Sequence, residues 1–369
     1  MFSRFFMLFF SLTILVIFAS CNKKSTEPTA DNSDIPQDPV GLSVPALMHN
    51  NIVPSAIFTR TSGNTSRIQV NLLGLVDPAS LNPIDLHADY ENGNYNFYLE
   101  ENGTVKGVKL TKVSSSTVLK ADIVFTIDNS GSMDQEADTI AARIVDFANY
   151  LSQRGLDAQF ACVGYDGWVN GGLNLSDAST LQKYLNRAGY TGTYRTYGFS
   201  GADSAALETV AWNDYSSVYG ENGVVAVLFA DAQYKWRAGA QRVFVNFTDE
   251  PTQPGGAVNW STEYMCEEIL GKATVHTVFS DDSTYYTDYW QDLYNERPWD
   301  MSKCTGGTVK FISYDATDLN LLDLPVAGAL SNSYLVEYVT SSSSNKNHVV
   351  IVVVTNTADG KIEYFDLAY

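Results

Sequence analysis

The chain predicts an α/β fold: a mostly parallel central sheet flanked by helices, inserted in or flanked by a β-sandwich formed from the N- and C-terminal segments. Three observations carry this expectation. Residues 120–317 alternate strand-like and helix-like patterns, the signature of a parallel sheet. Residues 45–119 and 330–369 carry strand-like runs separated by turn residues. Within the central part, the apolar run Ile123-Val124-Phe125-Thr126-Ile127 stops at a polar turn, Asp128-Asn129-Ser130-Gly131-Ser132, and an amphipathic helix follows, with Ile140, Ile144, Phe147, Ala148 and Leu151 on one face.

The elements follow in order. Residues 1–21 read as a targeting segment. Arg4 opens it, and Phe5 to Phe18 form an apolar stretch too short to span a bilayer comfortably. The ending Phe18-Ala19-Ser20-Cys21 resembles a bacterial lipobox, with Phe18 where Leu is more usual. That resemblance implies cleavage before Cys21 and lipid attachment to it; the alternative is an ordinary signal peptide with an incidental cysteine. Residues 22–44 are rich in Asn, Ser, Thr, Pro and Asp and read as a flexible tether. In 45–119, Arg67-Ile-Gln-Val-Asn-Leu-Leu alternates as a strand, and Asn94 to Leu110 reads as a hairpin turning at Glu101-Asn102-Gly103. These are too few strands to close a sandwich. The missing ones are expected in Tyr334-Leu-Val-Glu-Tyr-Val, His348-Val-Val-Ile-Val-Val-Val and Ile362-Glu-Tyr-Phe-Asp-Leu, with Asp359-Gly360 as a turn.

Between these ends, Ala158 to Tyr165 is strand-like. Ser179 to Arg187 is helical with Asp177 as N-cap, and Ala202 to Trp212 is helical. Val224 to Phe229 fits either a helix end or a short strand. Arg242 to Phe247 is a strand ending in Thr248-Asp249. Ser261 to Leu270 is a helix stopped by Gly271. Ala273 to Ser280 and Gly307 to Ser313 are the last central strands.

The chemistry concentrates where the first central strand ends. Ligands of open α/β sheets bind outside the carboxyl ends of the strands. Asp128, Ser130 and Ser132 are hard oxygen donors, suited to Mg²⁺, Mn²⁺ or Ca²⁺. The D-x-S-x-S string between strand and helix resembles the metal-ion-dependent adhesion site of von Willebrand factor type A domains, a Rossmann-like fold shared with integrin I and I-like domains. That resemblance implies a type A domain over 120–317 and a divalent cation, Mg²⁺ first and Mn²⁺ or Ca²⁺ next. It implies a second aspartate at the end of another strand, supplied by Asp249. It also implies a third ligand from another loop, for which Ser200 and Asp203 are the candidates and Thr196 a weaker one. Asp134 and Glu136 stand where integrin β-like members hold an adjacent Ca²⁺. Their ordinary reading is solvated carboxylates at a helix N-terminus. The insertion of such a domain in a sandwich is similar to the plan of integrin β subunits and some bacterial adhesins.

Other signals bound the function. Net charge is -19, which argues against nucleic-acid binding. Cys162 reads as a buried thiol, while Cys266 and Cys304 are candidates for a disulfide in an exported protein. None of the four histidines, His49, His87, His276 and His348, lies in an H-E-x-x-H motif. Gly198-Phe-Ser200-Gly-Ala202 approaches a G-x-S-x-G elbow without its last glycine. Tyr190, Tyr194, Tyr197, Trp260 and 285–290 bring aromatics to loops near the metal face, as recognition surface or as packing.

The expectation is therefore a non-enzymatic, lipid-anchored cell-envelope protein. Its metal face takes a carboxylate from a protein or glycan ligand. The alternatives are an assembly module whose metal only staples loops and, remotely, a hydrolase.

Overall fold

The computed structural model describes residues 31–114, 116–186, 198–216, 219–284, 295–344 and 346–369. Cys21 and the rest of 1–30, Thr196 and the aromatic residues Tyr190, Tyr194, Tyr197 and 285–290 lie outside them.

The N-terminal part supplies β1 (Ala56–Arg60), β2 (Arg67–Leu72), the short β3 (Ala88–Asp89) and β4 (Asn94–Tyr95), β5 (Phe97–Glu101), β6 (Thr104–Val105) and β7 (Val108–Lys112). The central part runs β8 (Leu119–Asp128), α1 (Asp134–Gln153), β9 (Leu156–Tyr165), β10 (Val169–Ser176), α2 (Ala178–Leu185), β11 (Gly198–Ser200), α3 (Ser204–Asp214), α4 (Gly223–Gln233), β12 (Gln241–Thr248), α5 (Thr262–Ile269), β13 (Ala273–Ser280), α6 (Asp300–Thr305), β14 (Val309–Ile312) and α7 (Pro325–Ser331). The chain ends with β15 (Tyr334–Val339), β16 (Asn347–Val354) and β17 (Asp359–Leu367).

The central sheet has seven strands in the order β11-β10-β9-β8-β12-β13-β14. All neighbours are parallel except β9 and β10. Its middle strand, β8, is apolar on both faces because helices cover both: Ile123, Phe125 and Ile127 pack under α1, while Val124 packs with α4. The helical stripe on α1 is buried as its spacing requires, with Ile140, Ile144, Phe147 and Leu151 at 0–1 % exposure. Val224 to Phe229, undecided in sequence, belongs to α4. Strand β10 is an addition that sequence patterning missed. Its Gly172 is required by space, because a Cβ there would stand 2.8 Å from the Tyr234 hydroxyl and 3.0 Å from the Phe199 ring.

The two ends of the chain form two four-stranded sheets, β1-β2-β15-β7 and β17-β16-β5-β6. Each mixes both ends: β15 lies antiparallel between β2 and β7, and β16 lies antiparallel to β5. They share one core that includes Val70, Leu99, Val336 and Ile351, all at 0 % exposure. The hairpin turn places Asn102 and Gly103 at positive φ (51° and 83°), as a two-residue turn of the primed type demands. Asp359-Gly360, expected as a turn, instead opens β17. The Asp359 carboxylate accepts backbone N–H groups from Met48, His49 and Asn50 at 2.6–3.0 Å, so a long-range clip overrides local turn chemistry.

Part of the expected tether is also fastened down. Asp34 pairs with Arg67 and Lys109, Asp38 pairs with Lys106, and Ile35 is 4 % exposed. Three ion pairs with apolar support outweigh a disorder-prone composition.

The sandwich meets the central domain at the amino ends of the parallel strands. Asn71 Nδ2 donates to the carbonyls of Lys120 and Gly239 at 3.1 and 3.2 Å, and Gln241 Nε2 donates to the carbonyls of Ser55 and Asn71. Nearby, the Arg237 guanidinium bonds the buried Asp122 carboxylate at 2.6 Å and Asp157 at 2.9 Å.

His276, in the middle of β13, is buried. The Thr308 N–H donates to its Nδ1 at 3.1 Å, which leaves the proton on Nε2. Nε2 has no partner among the described residues. Burial holds the imidazole pKa down to about 3. The unfolded chain therefore takes up a proton below its ordinary pKa that the folded chain refuses. The stabilisation is complete above pH ~6.5 and is lost progressively toward the folded value. Urea unfolding of wild type and His276→Gln should show this directly: the wild type should lose about 1.4 kcal/mol more per pH unit than the variant on acidification from about pH 6 to 4. Equal slopes would contradict it.

Candidate metal centre

Asp128 and Asp249 meet because their strands are neighbours in parallel register. Ile127 of β8 lies opposite Phe247 of β12, so Asp128 and Thr248-Asp249 leave the sheet side by side. Asp128 is 0 % exposed. Its Oδ1 accepts the Ser130 N–H at 3.0 Å and its Oδ2 accepts the Thr248 hydroxyl at 2.8 Å. The first bond is the turn itself: the carboxylate closes the Asp128–Ser130 loop and turns the Ser130 and Ser132 hydroxyls, 3.4 Å apart, toward each other. The Ser132 hydroxyl lies close enough to the Asp249 carboxylate to favour its anion.

The floor of the site is a hydrogen-bonded layer. Asn129 and Asn170 exchange side-chain bonds at 2.7 and 2.9 Å, tying the turn to β10. The Asn129 N–H donates to the Tyr165 carbonyl at 2.8 Å. Thr126 and Tyr165 hydroxyls both donate to Asn246 Oδ1, at 2.9 and 3.0 Å. Gly223 lets α4 start directly on this layer, since a Cβ there would stand 2.6 Å from Asn246 Oδ1.

The electrostatics are those of negative charge held out of water. Burial, and then the charge of Asp249, pushes Asp128 up to about 7, against the N–H and hydroxyl bonds that favour its anion. Burial also raises Asp249, opposed by the Ser132 hydroxyl. Asp249 Oδ1 is buried with no hydrogen-bond partner among the described residues.

A residue the sequence reading missed joins them. Glu221, in the loop entering α4, is pushed up to about 9 by burial and then by Asp128, Glu250, Asp166 and Asp249. Its position is set by Asn222, whose side chain caps α4 at the Val224 N–H (3.0 Å) and whose amide donates to the Trp260 carbonyl (3.0 Å). The signal was available: Asn222-Gly223 is a helix start. Ser200 and Asp203 stand one helix earlier, before α3.

Ser200 and Asp203 are not brought to the site. Ser200 is in register with Leu173 of β10, then Cys162 of β9, then Phe125 of β8. That places it three strands across and three residues below Asp128, roughly 14 Å sideways and 10 Å down. Asp203 pairs with Lys235 at 2.9 Å, beyond the far end of α4. Asp134 opens α1, and its side chain is outside the described residues. Glu136 is buried rather than solvated: it faces the end of β13, where the Ser280 hydroxyl donates to its Oε1. Trp260 packs against Tyr215 at 5.6 Å between ring centroids. Cys266 and Cys304 are bonded to each other, and Cys162 is a buried free thiol.

The donor set fits a hard divalent cation. Two carboxylates repel in a low-dielectric site, an unpartnered carboxylate oxygen faces it, and hydroxyls stand beside them. Among the described residues no three His, Cys, Asp or Glu side chains converge as a ligand group. Asp128 and Asp249 therefore stand as the carboxylate pair, with Ser130 and Ser132 as hydroxyl donors. A groove of about 890 Å³ between 33–40 and 86–94 includes none of these residues.

Comparison with protein-family models gives no match, and comparison with curated proteins gives none either. Among solved structures the chain is similar to proximal thread matrix protein 1 from the mussel byssus, determined with a zinc-occupied MIDAS motif. The TM-score is 0.34 and the identity 13 %, over 62 % of this chain and 49 % of that one. The chain thus spans about half the length of that protein.

The raised Asp128 value makes a signed prediction for the cation-free chain. The folded state keeps a proton that the unfolded state loses between about pH 4 and 7, so stability falls as pH rises through that window. Asp128→Asn should be more stable than wild type near pH ~8 in a chelator, by on the order of 2 kcal/mol, with the gap closing below about pH 5. Urea unfolding at both pH values measures it, and a variant destabilised at the higher pH would contradict it.

Proposed function

We propose that this chain is a divalent-cation-dependent binding protein of the cell envelope, anchored to a membrane by lipid on Cys21. The observation that carries the reading is the buried, unpartnered Asp249 Oδ1 beside a second buried carboxylate, Asp128. Such a pair costs free energy unless positive charge is supplied. Asp128, Ser130, Ser132 and Asp249 would hold the cation, with Thr248 orienting Asp128. The all-oxygen donors favour Mg²⁺, with Mn²⁺ or Ca²⁺ as alternatives. When bound, the cation offers an open position to a carboxylate of a protein or glycan partner.

The chain's own residues shape what can approach. Asp166, Glu221 and Glu250 lie near one another, and the chain carries a net charge of -19. A generally acidic partner is therefore repelled at a distance, and binding rests on local contact. Trp168, Tyr219 and Val258, 38 %, 68 % and 76 % exposed, sit on loops at this end of the sheet. They supply apolar contact beside the charge. No helix among the described residues is long and apolar enough to cross a membrane. The reading is binding rather than catalysis.

Calorimetric titration of Mg²⁺, Mn²⁺ and Ca²⁺ into the wild-type chain and Asp128→Ala tests it. Saturable binding that disappears in a folded Asp128→Ala is expected. Binding absent from the wild type would overturn cation-dependent recognition and favour an assembly role. Binding whose loss unfolds the variant would make the cation a structural staple.

A further inference from the structure

After Asp249 the chain leaves the sheet and does not begin α5 until Thr262. Both ends of this excursion are held by a residue far along the sequence. Thr252 and Glu296 exchange backbone hydrogen bonds at 2.9 and 2.8 Å. The Glu296 Oε2 accepts the N–H of Thr262, the first residue of α5, at 2.8 Å. One turn further on, Cys266 of α5 is bonded to Cys304 of α6.

The segment that makes these three attachments is itself anchored to the sheet. The Ser302 and Thr277 hydroxyls bond at 2.7 Å, the Thr305 hydroxyl accepts the Val275 N–H at 2.9 Å, and Met301 is 0 % exposed. Residues 296–304 thus form a splint between the central sheet and the loop that follows Asp249. Both cysteines are partly buried, packed against the apolar cluster that includes Met265 and Ile269.

We infer that Glu296 and the Cys266–Cys304 disulfide position the loop that follows Asp249, and that the thiol–disulfide state of this pair sets the affinity of the site for a divalent cation. The inference rests on the cation reading of the site above. The step is a thiol–disulfide exchange. A dithiol reductant attacks one sulfur as its thiolate, a mixed disulfide forms, and its second thiol resolves it. The protein gains two electrons and two protons as two thiols, and the reductant leaves as a disulfide. Reduction removes the covalent attachment. The core packing of α5 through Met265 and Ile269 stays, so the loosening is confined to the loop. Glu296 is a positioning residue here: it acts through the backbone of 252–262.

Hydrogen exchange of the full chain, oxidised and reduced by a dithiol, both in a chelator, reads the splint without any cation. Amides of 250–262 should exchange about tenfold faster after reduction and in Cys266→Ser/Cys304→Ser, while β8 and β13 amides stay protected. Oxidised Glu296→Ala should show the same local change, and Glu296→Gln, which keeps an acceptor oxygen, should restore most of the protection. Calorimetry with Mg²⁺ and Mn²⁺ should then show affinity lowered by about tenfold in the reduced chain. Unchanged exchange in 250–262 after both reduction and Glu296→Ala overturns the splint. Faster exchange with unchanged affinity overturns the redox link. If the oxidised chain binds neither ion, the cation reading fails and the affinity half of the inference falls with it, while the exchange data still decide the splint.

Discussion

Two carboxylates side by side at the ends of adjacent parallel strands are the constraint around which this structure is arranged. Asp128 and Asp249 are 0 % and 3 % exposed, and burying like charges together opposes folding. The chain bears it because the surrounding strands are over-determined. Buried apolar residues fill both faces of β8 and β12, and the Asn129–Asn170 and Asn246 hydrogen bonds lock the layer beneath. The local conflict is confined to one end of a sheet whose stability lies elsewhere, as is usual where strain serves a site.

Much of this was legible in the chain. The strand, polar turn and helix around Asp128 are local signals, and so are the Thr248-Asp249 strand end and the Asn102-Gly103 hairpin. What failed depended on distant neighbours. Residues 223–227 of α4 are all buried, so the segment shows no amphipathic period. A run buried all round reads alike as helix or strand. That ambiguity hid the helix start at Asn222-Gly223, and with it Glu221. Ser200 and Asp203 have suitable chemistry before a helix, but strand order decides reach, and edge strand β11 is three strands from β8.

Glycine misled in two ways. Gly171-Gly172 breaks the strand-like patterning of β10, although Gly172 is there because Tyr234 and Phe199 crowd that strand. Asp359-Gly360 carries the composition of a turn, yet Asp359 serves as an acceptor for three successive backbone N–H groups more than three hundred residues earlier in sequence. In both cases the local preference is worth about 1 kcal/mol, less than a buried set of contacts.

The insertion itself follows from where the chain crosses. Both connections between sandwich and central domain lie at the amino ends of the parallel strands: β7 leads into the start of β8, and α7 leads into β15, with the Val113 N–H bonded to the Ser333 carbonyl at 2.9 Å where the two crossings meet. The polar joint at Asn71 and Gln241 and the Arg237–Asp122 pair stand at this same end. Strand β8 is ten residues long, which spans roughly 30 Å. The acidic site is therefore carried at the far end of a rigid sheet from everything that fastens the domain down. A domain fixed at its base by short bonded crossings presents the opposite face with little freedom to tilt. For the proposed cation site, whose reach would be one coordination distance, that fixed presentation matters more than any long-range field of the chain.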